Sequence, residues 1–212
     1  MLDEKIIISN KAVNLETLDL VDGEKKEVFI EAPHIKHIAL RFLKRCKGFH
    51  ILPRTRYTLH LRSSDFEIQD CPGMSRLFVQ FQAPTTDVAE YAKQNFYEDL
   101  EYIQFEGLTR YSHKFFGSLI HTAPNLKEMV VDFYNWVTFD DEGDKRCFIC
   151  HPGVEFVTLR RGEYFFPTVE ISPDCKKLKT LKFRDFDFKE FKNPGGKRFW
   201  SEKNLLNDNH FE

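Results

Sequence analysis

A pattern of three apolar residues, apolar-x-x-apolar-x-apolar, recurs along this chain, and its recurrence constrains the fold more than any other feature. The clearest copy is Leu126, Met129 and Val131, within residues 122–133. Side chains alternate along a strand, so the last two apolar places share one face of a short strand. Ile35, Ile38 and Leu40 repeat it, as do Met74, Leu77 and Val79, and Val154, Val157 and Leu159. In all four copies a proline (Pro33, Pro72, Pro124, Pro152) stands two residues before the first apolar place. Proline cannot donate to a ladder and is tolerated at a strand's first positions, so it is expected to mark the entry into pairing.

Three copies lack that proline: Leu15, Leu18 and Leu20; Leu100, Ile103 and Phe105; and Leu178, Leu181 and Phe183, where Pro173 is displaced to five residues before. One is degenerate, with Leu59 and Leu61 in place and Arg56 in the first apolar position. The first places fall at 15, 35, 56, 74, 100, 126, 154 and 178, between 18 and 28 residues apart. A unit of that size cannot bury its apolar face alone and must stack on copies of itself. The predicted fold class is therefore α/β: a leucine-rich repeat solenoid, an open curved array of about eight parallel strands with a mixed β/helical convex side.

The domain organisation follows from a single stacked core, with residues 1–191 as the repeat domain and 192–212 as a C-terminal cap or frayed tail. Residues 27–31 and 66–69 read as a second strand within their units, whereas residues 85–97 and 112–121 have helical apolar spacing. The acidic and basic run at 140–146 reads as a solvent loop, and Asn193-Pro194-Gly195-Gly196 as a stop before either a short helix through Phe199, Trp200, Leu205 and Leu206 or a tail. Ile6, Ile7 and Ile8 precede Leu15 much as Val28, Phe29 and Ile30 precede Ile35, so the array starts without a visible cap and is expected to be covered by a capping domain or partner.

Charge and composition narrow the function. Lys and Arg number 31 against 33 Asp and Glu, a net charge of −2, which gives no global electrostatic case for nucleic acid or an anionic membrane. Apolar residues are 42% of the chain and Phe occupies 22 positions, enough for an aromatic-filled interior and too many for a disordered chain. No apolar run is long enough to cross a bilayer, and the first residues lack a secretory signal's basic and apolar regions, so an intracellular location is expected, cytoplasmic or nuclear. The five cysteines, Cys46, Cys71, Cys147, Cys150 and Cys175, are then expected as reduced thiols.

The units reading Ala-Pro or Cys-Pro before the apolar triad resemble the leucine-rich repeat region of F-box/leucine-rich-repeat proteins, the substrate-receptor subunits of cullin-type ubiquitin ligases. Residues 28–35 and 175–181 carry the resemblance most closely, and it covers about residues 15–183. It implies a protein-binding repeat module that recognises a ubiquitin ligase substrate. The F-box, a helical segment of some forty residues, has no counterpart before Leu15, so the chain is expected either as a portion or shortened relative of such a receptor or as a repeat adaptor or scaffold unconnected to ubiquitin.

Cys147-Phe148-Ile149-Cys150-His151 has the spacing of covalent haem attachment and suggests a minor alternative, a redox or metal protein using Cys147, Cys150 and His151. Against it, His151 occupies the pre-proline place held by Ala32, Cys71 and Ala123, and no second C-x-x-C completes four ligands. The expected role of this stretch is a strand carrying Phe148 into the core. Cys71 and Cys175 are expected as buried fillers and Cys46, between Arg45 and Lys47, as a surface thiol. No nucleophile has a base placed beside it, so no enzyme activity, cofactor or metal is expected.

Function is expected on the strand face. The residues following each second strand apolar are Val21, Arg41, Arg62, Gln80, Glu106, Asp132, Arg160 and Arg184, a row that is basic, then acidic, then basic. Phe78, Tyr102, Val130 and Phe156 fall on the same face, expected at nearly the same depth. Aromatics beside arginines have the composition of an interaction surface. Phe78, Tyr102 and Phe156 are the expected anchors, with Arg62, Arg160 and Arg184 meeting a partner's acids and Glu106 and Asp132 selecting a base. In the competing reading the face is merely solvated and Asp132 pairs with Arg160.

Overall fold

The computed structural model describes residues 5–24, 27–44, 46–53, 55–62, 66–80, 97–111, 122–139, 146–161, 168–186, 188–193 and 200–202. The apolar pairs of the repeat unit lie on one sheet of nine strands. In spatial order from one edge these are β2 (Thr17–Glu24), β4 (His37–Lys44), β6 (Tyr57–Arg62), β8 (Met74–Gln80), β9 (Tyr102–Tyr111), β10 (Glu128–Phe139), β12 (Phe156–Arg160), β14 (Thr180–Arg184) and β16 (Trp200–Glu202). Every pairing is parallel. Leu18, Ile38, Leu59, Leu77, Ile103, Met129, Val157 and Leu181 stand opposite one another in one row, and Leu20, Leu40, Leu61, Val79, Phe105, Val131, Leu159 and Phe183 in another. The molecule is a β-solenoid of stacked parallel strands.

Two smaller parallel sheets supply the second strand of most coils. One contains β1 (Lys5–Ile8), β3 (Glu27–Ile30), β5 (Cys46–Ile51) and β7 (Phe66–Asp70), and the other β11 (Arg146–Ile149), β13 (Thr168–Ile171) and β15 (Glu190–Lys192). The strands expected over 27–31 and 66–69 are β3 and β7. The expected helices at 85–97 and 112–121 fall, apart from Tyr97, outside the described residues. So do residues 140–145 of the expected loop, whose last residue, Arg146, instead opens β11 and pairs with Glu170 at 2.8 Å. Trp200 begins a strand opposite Thr180, so the pairing continues past 191; Phe199, Leu205 and Leu206 lie outside the described residues.

The proline has a different place from the one expected of it. In residues 32–35 and 71–74 the backbone N–H of the first apolar residue donates to the carbonyl three residues earlier, closing a turn whose second residue is proline. Its fixed φ suits that position. Leu126 closes the same turn onto Ala123, and Leu15, Leu100 and Leu178 close it without proline. The first apolar residue thus plugs the corner, and in most coils the strand proper starts two residues later, as at His37, Glu128 and Phe156. In the degenerate copy Arg56 is exposed and Tyr57, opposite Met74, fills the corner at 1% exposure.

Corner side chains also tie coil to coil. Thr55 Oγ1 donates to the Ile35 carbonyl, Ser75 Oγ to that of Tyr57, and Asn125 Nδ2 to that of Glu98, all at 3.0 to 3.2 Å. Gly73 has φ 77°, and a Cβ there would meet the Thr55 carbonyl at 3.2 Å. Just outside the corners, Lys36 pairs with Glu16, Lys127 with Glu101 and Lys179 with Glu155, each acid one coil before its base. Each exposed pair adds little stability, but a shift of one coil's register would separate them.

The inner rows form one continuous apolar cluster with Val28, Ile30, Cys147, Ile149, Val169 and Ile171 from the smaller sheets. Met129 and Leu159 are 0% exposed, and truncating such a side chain to alanine costs about 2–5 kcal/mol. Among the described residues the aromatic filling includes Tyr57, Tyr97 and Phe105, and Phe133, Phe183, Phe186, Phe188 and Phe191 pack together towards the C-terminal end. At the other end Leu18 and Leu20 are only partly buried, and Ile7 and Val21 are 63% and 55% exposed on edge strands β1 and β2.

Candidate sheet-face interface

Residues one removed from each inward pair point away from the core, because strand side chains alternate. The outer row read from sequence is in register: Val21, Arg41, Arg62, Gln80, Glu106, Asp132, Arg160 and Arg184 stand opposite one another. The aromatic row is not a single row. Phe78 stands opposite His60 and Gln104, whereas Tyr102 stands two residues back, opposite Arg76 and Glu128, with Phe156 next beyond Glu128. Alternation puts all of them on the outward face, at two depths.

At the end nearer β4, the outward side chains neutralise or stack on each other. Arg41 forms a short ion pair with Asp19 on the preceding strand. The His60 ring stacks on Phe78 at 4.3 Å, Phe78 meets Tyr102 at 5.1 Å, and the Arg76 guanidinium lies 4.3 Å from the Tyr102 ring centre. These contacts surround a cleft of about 560 Å³ lined in part by Arg41, His60, Arg62, Phe78, Gln104 and Glu106. Burial, then the positive charges of His37 and Arg41, hold the His60 imidazole below its ordinary value, while Glu106 opposes them.

In the middle of the face, Tyr102 Oη donates to Gln104 Oε1 and Gln104 Nε2 to Glu106 Oε1, a chain along one side of β9. Burial raises the Tyr102 phenol above its ordinary value, with Glu128 adding to the effect and Arg76 and Arg160 opposing it. Val130, expected as an exposed contact, is 3% exposed. Asp132 is 6% exposed and its partner is Arg161, whose Nε lies 2.5 Å from Oδ1. The expected pairing with Arg160 is therefore replaced, and Asp132 is not left to select a base on a partner. Arg161 reaches it from a left-handed backbone at φ 54°.

At the far end Phe156 is 41% exposed, Arg160 is half-buried and Arg184 is exposed, with Lys182 opposite Thr158. His60, Arg76, Gln104, Arg161 and Lys182 are among the face residues that the sequence pattern does not single out. Four of them carry a signal, since each lies an even number of residues from a residue already placed on the face. Arg161 has none, because its reach depends on the local turn of the backbone.

The stretch that suggested redox or metal chemistry is structural in its geometry. Cys147 and Ile149 point inward at 0% exposure and Phe148 is half-buried on the other side of β11, so Cys147 takes the core place expected for Phe148. Burial, then the charge of Asp174, pushes the Cys150 thiol up to about 11, which leaves little thiolate at neutral pH. His151 is 0% exposed; the Gly153 N–H donates to Nδ1 at 3.1 Å, so Nε2 carries the proton towards the Ala123 carbonyl, also at 3.1 Å. Both ring nitrogens are thus engaged, and a Cβ at Gly153 would lie 3.2 Å from the imidazole. Among the described residues no three His, Cys, Asp or Glu side chains are grouped to hold a metal ion. Cys175 is buried as expected, its Sγ 3.2 Å from the Ile149 carbonyl, while Cys71 is only partly buried. The side chain of Cys46 lies outside the described residues.

No described helix is long and apolar enough to cross a membrane. Comparison of the chain with protein-family models, curated proteins and solved structures gave no match.

Proposed function

We propose that this solenoid is a protein-binding module without catalytic function, using the outer face of its nine-stranded sheet to hold an intracellular partner. The observation that supports it most is the face itself, where Phe156 is exposed on the same side as Arg160, Lys182 and Arg184. An exposed aromatic beside arginines is the composition of an interface anchor. Phe78 and Tyr102 extend this surface towards the cleft beside Arg62 and Glu106. In the finer reading the chain is the leucine-rich repeat, substrate-recognising portion of an F-box-type cullin ubiquitin ligase receptor. That reading is supported by the resemblance of its proline-initiated units, and the open β1 and β2 edge would then meet a capping domain or second partner.

The test is a pull-down from native extract comparing the parent with a Phe78→Ala, Tyr102→Ala, Phe156→Ala variant that retains its circular dichroism spectrum. Loss of about 2 kcal/mol or more of binding is expected from an anchor residue, so partners of the parent should be depleted. Identical recovery would move the binding surface elsewhere, first to the exposed N-terminal edge. Association of the full gene product with a cullin-ligase adaptor would separate the ubiquitin reading from a scaffold role.

A further inference from the structure

We propose that Arg160 and Arg184 form a carboxylate-binding pair which, with Phe156, takes an extended acidic segment of a protein partner carrying an apolar residue beside its acids. This rests on the reading of the face as a partner surface and specifies the chemistry of its basic end. The two arginines stand directly opposite each other on β12 and β14, where neighbouring strands run about 4.8 Å apart. Like charges so placed oppose the fold unless a counter-charge joins them.

The acid beside them in the same row is Asp132, and it is taken by Arg161. The backbone N–H of Arg161 donates to the Arg184 carbonyl at 2.9 Å, which fixes the turn that presents its guanidinium to Asp132. Arg160 Nε is buried with no hydrogen-bond partner. Among the described residues, neither Arg160 nor Arg184 makes an ion pair. Glu106 accepts from Gln104, Glu128 stands opposite Phe156, and Asp185 is exposed beyond Arg184, its charge acting on Arg161.

Two arginines on paired positions of neighbouring strands supply planar donor groups that match the oxygens of carboxylates. Phe156 lies on the same face four residues before Arg160, about 13 Å along the strand at the usual rise. One small anion cannot reach both, whereas an extended segment of a few residues can place an apolar side chain on Phe156 and its acids on the arginines.

The probe is a fluorescein-labelled synthetic peptide, Glu-Glu-Glu-Phe-Glu-Glu, with its all-Gln counterpart as control, titrated against the whole chain. Saturable binding of the acidic peptide alone is expected, weakened at least about tenfold by Arg160→Gln with Arg184→Gln, as for loss of a charged contact pair. Lys127→Gln with Lys179→Gln removes equal charge from the Glu–Lys pairs at the corners and should change the affinity less than about twofold. Equal weakening by both double variants would mean attraction to net charge only and would overturn the proposal. Affinity lowered by Phe156→Ala but untouched by the arginine changes would overturn the carboxylate pair while leaving the face as a partner surface. Indifference to all of these changes would remove both.

Discussion

The two ends of the outer sheet face both carry arginines in the row that follows the second inward residue, Arg41 and Arg62 at one end and Arg160 and Arg184 at the other, yet they differ in where their charge goes. Towards β4, Arg41 is joined to Asp19 and Arg76 lies on Tyr102, with His60 and Phe78 stacked beside them. Towards β14, Arg160 and Arg184 stand opposite each other in the register and the nearest acid in their row is paired with Arg161. A row of arginines is therefore not one feature. Its meaning depends on neighbours one coil away, which the repeat positions place, and on backbone turns such as that at Arg161, which they do not. One end is closed by its own contacts and the other is left for a counter-charge from outside.

Breaking what the two ends share gives the largest effect. Met129 lies at 0% exposure beneath the middle of the face, and Met129→Asp would bury a charge with no partner, at a cost of about 3–5 kcal/mol or more. Circular dichroism melting should show the coils on both sides lost, and Leu159→Asp should behave alike. An unchanged melting temperature in either would place these side chains outside the core. A smaller effect is expected from His151→Ala, because alanine occupies the equivalent corners at Ala32 and Ala123. The two freed backbone groups should cost about 1–3 kcal/mol in denaturant unfolding. No loss would mean that the imidazole does not staple its coil to the one before.

Acidification sharpens the difference between the ends. The folded-state imidazole of His60 is held below its ordinary value, so between that depressed value and the usual histidine range the unfolded chain binds more protons. Stability should be intact above the ordinary value, fall as pH drops through this window, and level off below it. His60→Phe keeps a ring against Phe78 and should flatten the slope. A slope that persists undiminished in that variant would assign the titration to other groups.

The inward half of this fold was legible because it obeys a strict spacing: both apolar rows, the outward row and its parallel order follow from counting residues. Arg56 misled because the corner of that coil is filled by Tyr57, one residue later, through an irregular register. Phe148 misleads because it is the large apolar residue between two cysteines, whereas alternation puts Cys147 and Ile149 inside. The face was legible as a set of positions but not as a set of contacts. Parity placed Tyr102 and Asp132 there, while the depth of one and the partner of the other depend on distances between coils.

Charge reversal at the basic end, set against charge removal at the closed end, tests most directly whether the two differ. Arg184→Glu places an acid opposite Arg160 and should raise stability by about 0.2–1 kcal/mol, a rise of roughly 0.4–4 °C in melting temperature for a chain of this size. Arg41→Gln removes the partner of Asp19 and should lower stability, by at most about 1 kcal/mol. Melting curves of the two variants against the parent, in low salt, are expected to move in opposite directions. A fall in both would show that Arg184 is already neutralised within the chain, and that no counter-charge is awaited there.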